Sequence, residues 1–324
     1  MITRLTIAFF ILLFSIILSL ATSNKLNNPF EYFYNLFLVK PDNLNLAIFT
    51  QIRLPRTLFA MIAGISLSVS GFILQFLTNN CLADPFIIGI ASGSALCTLI
   101  GLYFNVNSYL LPLMAFIGSL AISLVVIKIG DSDKSLNSPK LLLGGFAISS
   151  FCSAAITLLV MISPNSLKYA GLINYLFGTL ANKSLTDTCL PGIICLLGLV
   201  LTIILAKGLR ILNLGDILAM NLGLNVKFYQ FIMLIIAILM CSSVTAYCGI
   251  IGFVGLIVPY VSRKIFHADE RWQILGQSFL GSTLMLWADI LARTLISYQD
   301  LPIGAILAIL GSPFLLYLVY DNRG

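Results

Sequence analysis

Few side chains in this sequence are equipped for chemistry, and none of them falls into a catalytic spacing. His267 is the lone imidazole among 324 residues, and the seven cysteines at 81, 97, 152, 189, 195, 241 and 248 form no CxxC pair. A metal site or disulfide framework is therefore not expected, and the cysteines read as small apolar core residues. No Gly-x-x-x-x-Gly-Lys-Ser/Thr loop occurs, so the chain cannot hold a nucleotide in the P-loop manner, and if ATP drives it another chain binds the ATP. Gly-x-Ser-x-Gly is also missing, which leaves hydrolysis without a constellation. The expectation is a chain with no enzyme activity, cofactor or metal of its own.

What polar chemistry remains concentrates in a few places. Asp289 stands nearly alone as an intramembrane charge, four residues before Arg293 on the same helix face, a spacing that suits a local ion pair. A proton relay or sodium site needs more buried carboxylates than this, which argues against a secondary transporter driven by a gradient. Between Gly64 and Gln75 the small and polar residues Ser66, Ser70 and Gly71 cross a predicted span. Small residues let helices approach closely, and polar ones avoid lipid, so Ser66, Ser70 and Gln75 either pack between helices or face an aqueous path.

These residues must be carried by membrane helices. The chain is 59% hydrophobic and 9% charged, with a mean hydropathy of +1.04, far from the balance of a soluble domain. Spans of about 20 residues are predicted near 5–22, 57–77, 86–104, 109–128, 141–162, 189–206, 228–247, 249–266, 272–292 and 302–320, making an all-α polytopic protein of about ten transmembrane helices in one domain, 1–324. The first segment reads as a retained helix, since Ala21-Thr22-Ser23 is a weak cleavage site. Spans two to five and seven to ten start from opposite sides, as in an inverted repeat.

With both termini cytoplasmic, the inner side collects Arg4, Lys128, Lys134, Lys140, Lys207, Arg210, Lys227, Arg263, Lys264, Arg271 and Arg323. The outer side holds Lys25, Lys40, Arg53, Arg56, Lys168, Lys183 and Arg293, an eleven to seven split in the direction of the positive-inside rule. Arg53 and Arg56 lie outside against that rule. The net charge of +6 follows topology, and no dense basic tract suggests nucleic acid.

The connecting intervals differ in character. In 23–56, aromatic residues from Phe30 to Phe37 precede Gln51 to Arg56, where Pro55 is expected to start the next helix. Ser163 to Thr188 holds Tyr169, Tyr175 and Phe177, suited to a membrane interface. Gly208 to Lys227 is predicted to form a short helix capped by Asp216, running through Ile217, Leu218, Met220 and Leu222 and stopped by Gly223. It is too short to span, and its apolar side chains need a cover. From Gly249 to Arg263 the glycines at 249, 252 and 255 are expected to pave one face of a tightly packed spanning helix interrupted by Pro259.

Taken in order, several motifs resemble the FecCD-type permeases, the membrane subunits of ABC importers for iron-siderophores, haem and cobalamin. They are Arg53-Leu54-Pro55-Arg56, Ser70-Gly71 with Gln75, Asn80-Cys81-Leu82-Ala83-Asp84-Pro85 with Gly89, and Leu143-Gly144-Gly145. Further along come Leu214-Gly215-Asp216 with Leu222-Gly223, Gly252 to Pro259, Ala288 to Arg293, and Leu301-Pro302-Ile303-Gly304 with Gly311-Ser312-Pro313. Any one is weak, but the ordered set covers nearly the whole chain. It departs from the family pattern at Cys81 for proline, Tyr260 for histidine and Asp300 for glutamate.

The resemblance implies a type II ABC importer permease in the bacterial cytoplasmic membrane. It would be a homodimer, or a pair with a related permease, joined by two cytoplasmic ATPase subunits and an extracytoplasmic binding protein. It also implies that Arg53, Arg56 and Arg293 dock the binding protein, that Asn80 and Leu82 form a cytoplasmic gate, and that Gly208 to Lys227 couples to the ATPase as two short helices through Asp216, Ile217, Leu218, Met220, Leu222 and Gly223. The cargo implied is an iron chelate, with haem or cobalamin as alternatives.

Overall fold

A computed structural model describes residues 2–22, 43–86, 88–130, 139–162, 175–212, 214–266, 269–296 and 300–321. Its helices are α1 (Ile2–Ala21), α2 (Asn43–Ile48), α3 (Leu54–Leu77), α4 (Ile90–Tyr103), α5 (Leu111–Gly130), α6 (Pro139–Ile162), α7 (Leu185–Leu212), α8 (Asp216–Asn221), α9 (Val226–Cys248), α10 (Val254–Ile265), α11 (Glu270–Thr294) and α12 (Ile303–Asp321). Each of the ten predicted spans corresponds to one of these helices, and among the described residues seven stretches are long and apolar enough to cross a membrane. Segment 23–42, with its aromatic run, and His267 lie outside the described residues.

Helix α3 is the hub, packing against α1, α7, α9, α10 and α11. Its small residues explain how. A methyl group on Gly64 would fall 2.3 Å from the carbonyl oxygen of Gly281 in α11, and one on Gly71 would fall 2.1 Å from that of Gly255 in α10. Backbones this close exchange dispersion contacts that lipid cannot supply, which is how helices associate where no hydrophobic effect separates them from solvent. Helix α1 lies along α11, with Leu5 and Ala8 against Phe266, and the indole of Trp287 donates to Ser15 Oγ at 3.0 Å.

The segment from Gly249 to Arg263 departs from the expected spanning helix. Helix α9 ends at Gly249, in left-handed backbone (φ +79°), and α10 begins only after Phe253, also left-handed (φ +68°). Twelve residues make α10 about 18 Å long, short of the roughly 30 Å hydrocarbon core. Of the three glycines only Gly255 packs a helix face, because Gly252 faces open space and Gly249 is pressed on the carbonyl of Tyr175. Irregular backbone survives inside a bundle only if its polar groups find partners. Ile250 N–H donates to Tyr175 O at 3.3 Å, Thr179 N–H donates to Cys248 O at 2.8 Å, and Ile303 N–H donates to Gly178 O at 3.0 Å.

Pro259, inside α10, lacks the N–H that would bond the carbonyl of Gly255. The side chain of Gln75 takes its place, donating from Nε2 to Gly255 O at 3.2 Å, while its Oε1 accepts from the Arg263 guanidinium. Gln75 thus ties α3 to both ends of a weakened helix. Ser70 Oγ similarly donates to Ala237 O of α9 at 3.0 Å, and Ser66 is fully buried on the same helix.

Pro55 sits in the first turn of α3, as expected, and a wide π turn over Phe49–Arg53 leads into it. One other boundary differs from expectation. The cap of α8 is Gly215 in extended left-handed-side backbone (φ +98°), and Asp216 occupies the first turn, where its charge favours the helix dipole. Gly223 does provide the left-handed stop (φ +83°), while residues 208–212 continue α7, leaving one short helix in the described loop. Replacing Gln75 by leucine leaves both Gly255 O and the Arg263 guanidinium without their partner, and the Gln75→Leu protein should lose about 1–3 kcal/mol of stability, read as a lowered apparent Tm in detergent; an unchanged Tm would refute this role.

Candidate functional site

Three sets of predicted residues come together at three places along the bundle. At one end, Arg53, Arg56 and Arg293 converge from α3, its preceding turn and α11. They were expected to be outward and available, yet all three are buried. Arg56 Nε donates to Asp289 Oδ1 at 2.8 Å and its Nη1 to Asp300 Oδ2 at 2.7 Å, while Arg293 Nη2 lies 3.1 Å from Asp289 Oδ2. The expected Asp289–Arg293 pair exists, and Arg56 joins it from another helix. Arg53 Nη1 donates to the carbonyls of Leu20 and Ala21, and Arg293 donates to the carbonyl and hydroxyl of Ser19. These are the last carbonyls of α1, which have no partner within their own helix and sit at the negative end of its dipole.

The three arginines line a depression of about 480 Å³, together with Gln51, Asn182, Lys183, Ser184 and Asp300. Four cations therefore face it against the partly exposed Asp300. Lys183 was not singled out from the sequence. It donates to Tyr247 O at 2.6 Å, next to the Gly249 break, and its ammonium lies 6.0 Å from the centre of the Phe59 ring. Asp300 stands where the family pattern has a glutamate, and its shorter side chain still reaches Arg56.

At the other end of α3, the loop after Leu77 carries Asn80 and Leu82. Asn79 is left-handed (φ +45°), and Asn80 Oδ1 accepts from Leu82 N–H at 2.8 Å, closing a turn across Cys81. That side-chain bond supplies stiffness that the missing proline would otherwise give. Leu82 packs on the Leu256–Ile257 pair of α10, against which Phe314 and Leu315 of α12 also pack, so loop and α12 share one cluster. Asp84 Oδ1 accepts from Phe86 N–H at 2.8 Å, and its Oδ2 is 3.0 Å from where a methyl on Gly255 would be. Burial pushes this carboxyl up to about 6, leaving it mostly ionised at neutral pH.

Above this loop a half-open cavity of about 680 Å³ lies between α6 and α12. Its wall is formed by Phe86, Phe146, Phe253, Leu256, Leu315 and Leu316, with Asp84, Ser149, Ser150, Ser153 and Ser312 as the polar members. Ser66, Ser70 and Gln75 line neither this cavity nor the depression near Arg56; Ser70 and Gln75 bond carbonyls of α9 and α10, and Ser66 is buried. The sequence signal for the cavity was the α6 pattern of serines one turn apart, at 149, 150 and 153, in an otherwise apolar span.

The third place is α8. Ala219 is buried against the bundle, while Ile217, Leu218, Met220 and Leu222 are exposed, Ile217 by 74%. Beside it, Arg210 at the end of α7 pairs with Asp269 and with Glu270 Oε2 at 2.8 Å, which anchors the start of α11.

The Arg56–Asp289–Arg293 cluster yields a direct prediction. Asp289→Asn leaves two buried guanidiniums short of one negative charge, a change worth about 3 kcal/mol or more, and the apparent Tm should fall sharply. An equally stable variant would show that the carboxylate charge is dispensable.

Comparison with known proteins places these features in a common frame. The family model described as the FecCD transport family matches residues 11–321. The hemin transport system permease protein HmuU of Yersinia pestis is 35% identical over 325 residues, covering 97% of this chain and 95% of that one. The achromobactin transport system permease protein CbrC of Dickeya dadantii is 30% identical across 99% and 92%, and the Fe(3+)-citrate import system permease protein YfmE of Bacillus subtilis 31% across 84% and 81%. A solved structure described as an inward-facing conformation of a metal-chelate type ABC transporter superposes with a TM-score of 0.86 at 28% identity, covering 99% of this chain and all of that one. With a match of this extent to the family model and to relatives along nearly its whole length, the chain belongs to the FecCD transport family of ABC importer permeases, multi-pass proteins of the inner membrane.

Proposed function

We propose that this chain is the permease of an importer for an iron chelate, working as a homodimer with two ATPase subunits inside and a binding protein outside. Haem and cobalamin are the neighbouring cargo classes. The observation that carries the reading is the placement of one half-open cavity against the Asn80–Leu82 loop, at the α10 break, within a chain matched by the family from residue 11 to 321. A second copy packed on the exposed apolar faces of α6 and α12, including Leu143, Phe146, Ile309 and Leu316, would close the cavity into a path. Both termini then face the cytoplasm, as the distribution of Lys and Arg suggests.

In this reading the Arg53, Arg56 and Arg293 depression faces the binding protein. Its excess of positive charge suits acidic side chains on that partner, setting register and on-rate more than affinity. Asn80 and Leu82 close the inner end of the path, and the exposed Ile217 to Leu222 face of α8 seats in the ATPase, with Asp216 and Gly223 fixing the ends of the short helix. Movement of the ATPase pair would shift α8 with α7 and α9, which pack against α3 and hence against the gate loop.

Three outcomes test this. Reconstituted with its ATPase, the chain should support ATP hydrolysis that rises when the loaded binding protein is added, and no rise with a cognate binding protein would count heavily against the import reading. Reversing Arg53 and Arg56 to glutamate should slow docking by about tenfold at low ionic strength, with a smaller effect at high salt; docking kinetics that do not change would sink the docking assignment. Ile217→Asp should uncouple the two activities, leaving binding-protein docking intact while abolishing stimulation.

A further inference from the structure

We propose that the few polar groups in the otherwise apolar cavity between α6 and α12 offer only hydrogen-bond acceptors and negative charge, so that the cavity selects a neutral or cationic chelate rich in N–H or O–H groups over a polyanionic one. This rests on the reading of the cavity as half of the cargo path. The argument starts from the serines. Ser149 Oγ donates to Phe86 O at 3.0 Å, Ser150 Oγ to Phe146 O at 2.9 Å, Ser153 Oγ to Ser149 O at 2.9 Å and Ser312 Oγ to Ala308 O at 2.7 Å. A carbonyl cannot donate, so each hydroxyl has committed its single proton to the backbone and turns lone pairs toward the space it lines.

Asp84 adds the remaining polar group. Its Oδ1 is satisfied by Phe86 N–H, it forms no ion pair among the described residues, and it lines the cavity. The helical N–H groups behind the serines are used within their helices, and the other described lining side chains are apolar. A cargo with peripheral carboxylates would meet acceptors facing acceptors, each leaving a desolvated group without a donor. One with amide, ammonium or hydroxyl hydrogens would find four oxygens and a carboxylate. The N-terminus of α10, which would favour an anion, is already next to Asp84.

The test reads the cavity directly and needs no knowledge of the natural cargo. In the permease–ATPase complex in nanodiscs, Ser150→Cys is labelled with methanethiosulfonate reagents of matched size carrying a trimethylammonium or a sulfonate. The rate at that peptide is followed by mass spectrometry and normalised to a free thiol in solution. The cation should react about ten times faster than the anion, and Asp84→Asn should bring the ratio close to one. Leu316→Cys, exposed on the facing wall, provides a second position should Ser150→Cys or Asp84→Asn fail to assemble. Equal rates at both positions, or faster labelling by the sulfonate, would overturn the proposal. So would protection of the cysteine by ferric citrate at a concentration where the cationic hydroxamate chelate ferrioxamine B gives none. Loss of binding-protein-stimulated ATP hydrolysis with the labelling preference intact would instead count against the import reading alone.

Discussion

The close approach of α3 and α10 at Gly71 and Gly255 is the constraint on which the rest of the structure depends. Only because neither residue carries a side chain can the two backbones touch, and only then does Gln75 reach the carbonyl that Pro259 leaves without a donor. The same contact sets Asp84 and Pro85 against Gly255, so the loop after α3 is built onto the start of the half-helix. In a medium without water, a broken helix is stable only where neighbouring protein replaces the lost hydrogen bonds. Here the replacements come from Gln75 in α3 and from Tyr175 and Thr179 in the segment before α7. A short helix held by such replaceable contacts suits a part that changes position, since each contact is worth about 1 kcal/mol net.

The opposite end of α3 solves a different problem. Three arginines in a low-dielectric setting are costly unless each positive charge meets either a carboxylate or several carbonyls. Asp289 takes two of them, Asp300 shares Arg56, and the C-terminal carbonyls of α1 absorb Arg53 and Arg293. The cluster consequently knits α1, α3, α11 and the segment before α12 into one block. Any acidic partner that draws on these arginines must compete with Asp289 and Asp300, so its contribution is a difference between two similar attractions. That makes such a surface better at orienting a partner than at holding it.

How far the sequence revealed this depended on the kind of signal. Helix positions were legible because ten apolar stretches of the right length carry their own hydropathy, and the Asp289–Arg293 spacing showed a local pair because it obeys helical periodicity. Arg56 joining that pair was not legible, since it arrives from a residue 233 positions away. The glycines at 249, 252 and 255 suggested a continuous helical face, but spacing alone does not distinguish packing from a left-handed backbone, and two of the three serve the break. Ser66, Ser70 and Gln75 suited packing more than a path, and the carbonyls that Ser70 and Gln75 bond lie on neighbouring helices, information that no local pattern contains. The cavity's own serines were visible in α6, but their facing partner on α12 was not.

The replacement at Cys81 shows how a departure from a family pattern can leave the mechanics in place. Proline at that position would restrict one φ angle and the residue before it. Here Asn79 takes the left-handed conformation, and the Asn80 side chain bonds Leu82 N–H across the cysteine. The turn is thereby fixed by a hydrogen bond in place of a ring. A ring constrains the backbone in every state, whereas a side-chain bond can be exchanged at a cost of about 1 kcal/mol. Leu82 in turn rests on the Leu256–Ile257 pair of the half-helix, against which Tyr260 and, from α12, Phe314 and Leu315 also pack. A gate loop built this way follows the half-helix and α12 together, because its stiffness is local while its position comes from packing. Displacing either helix by the width of a side chain would separate Leu82 from its contacts without first unfolding the turn that presents it.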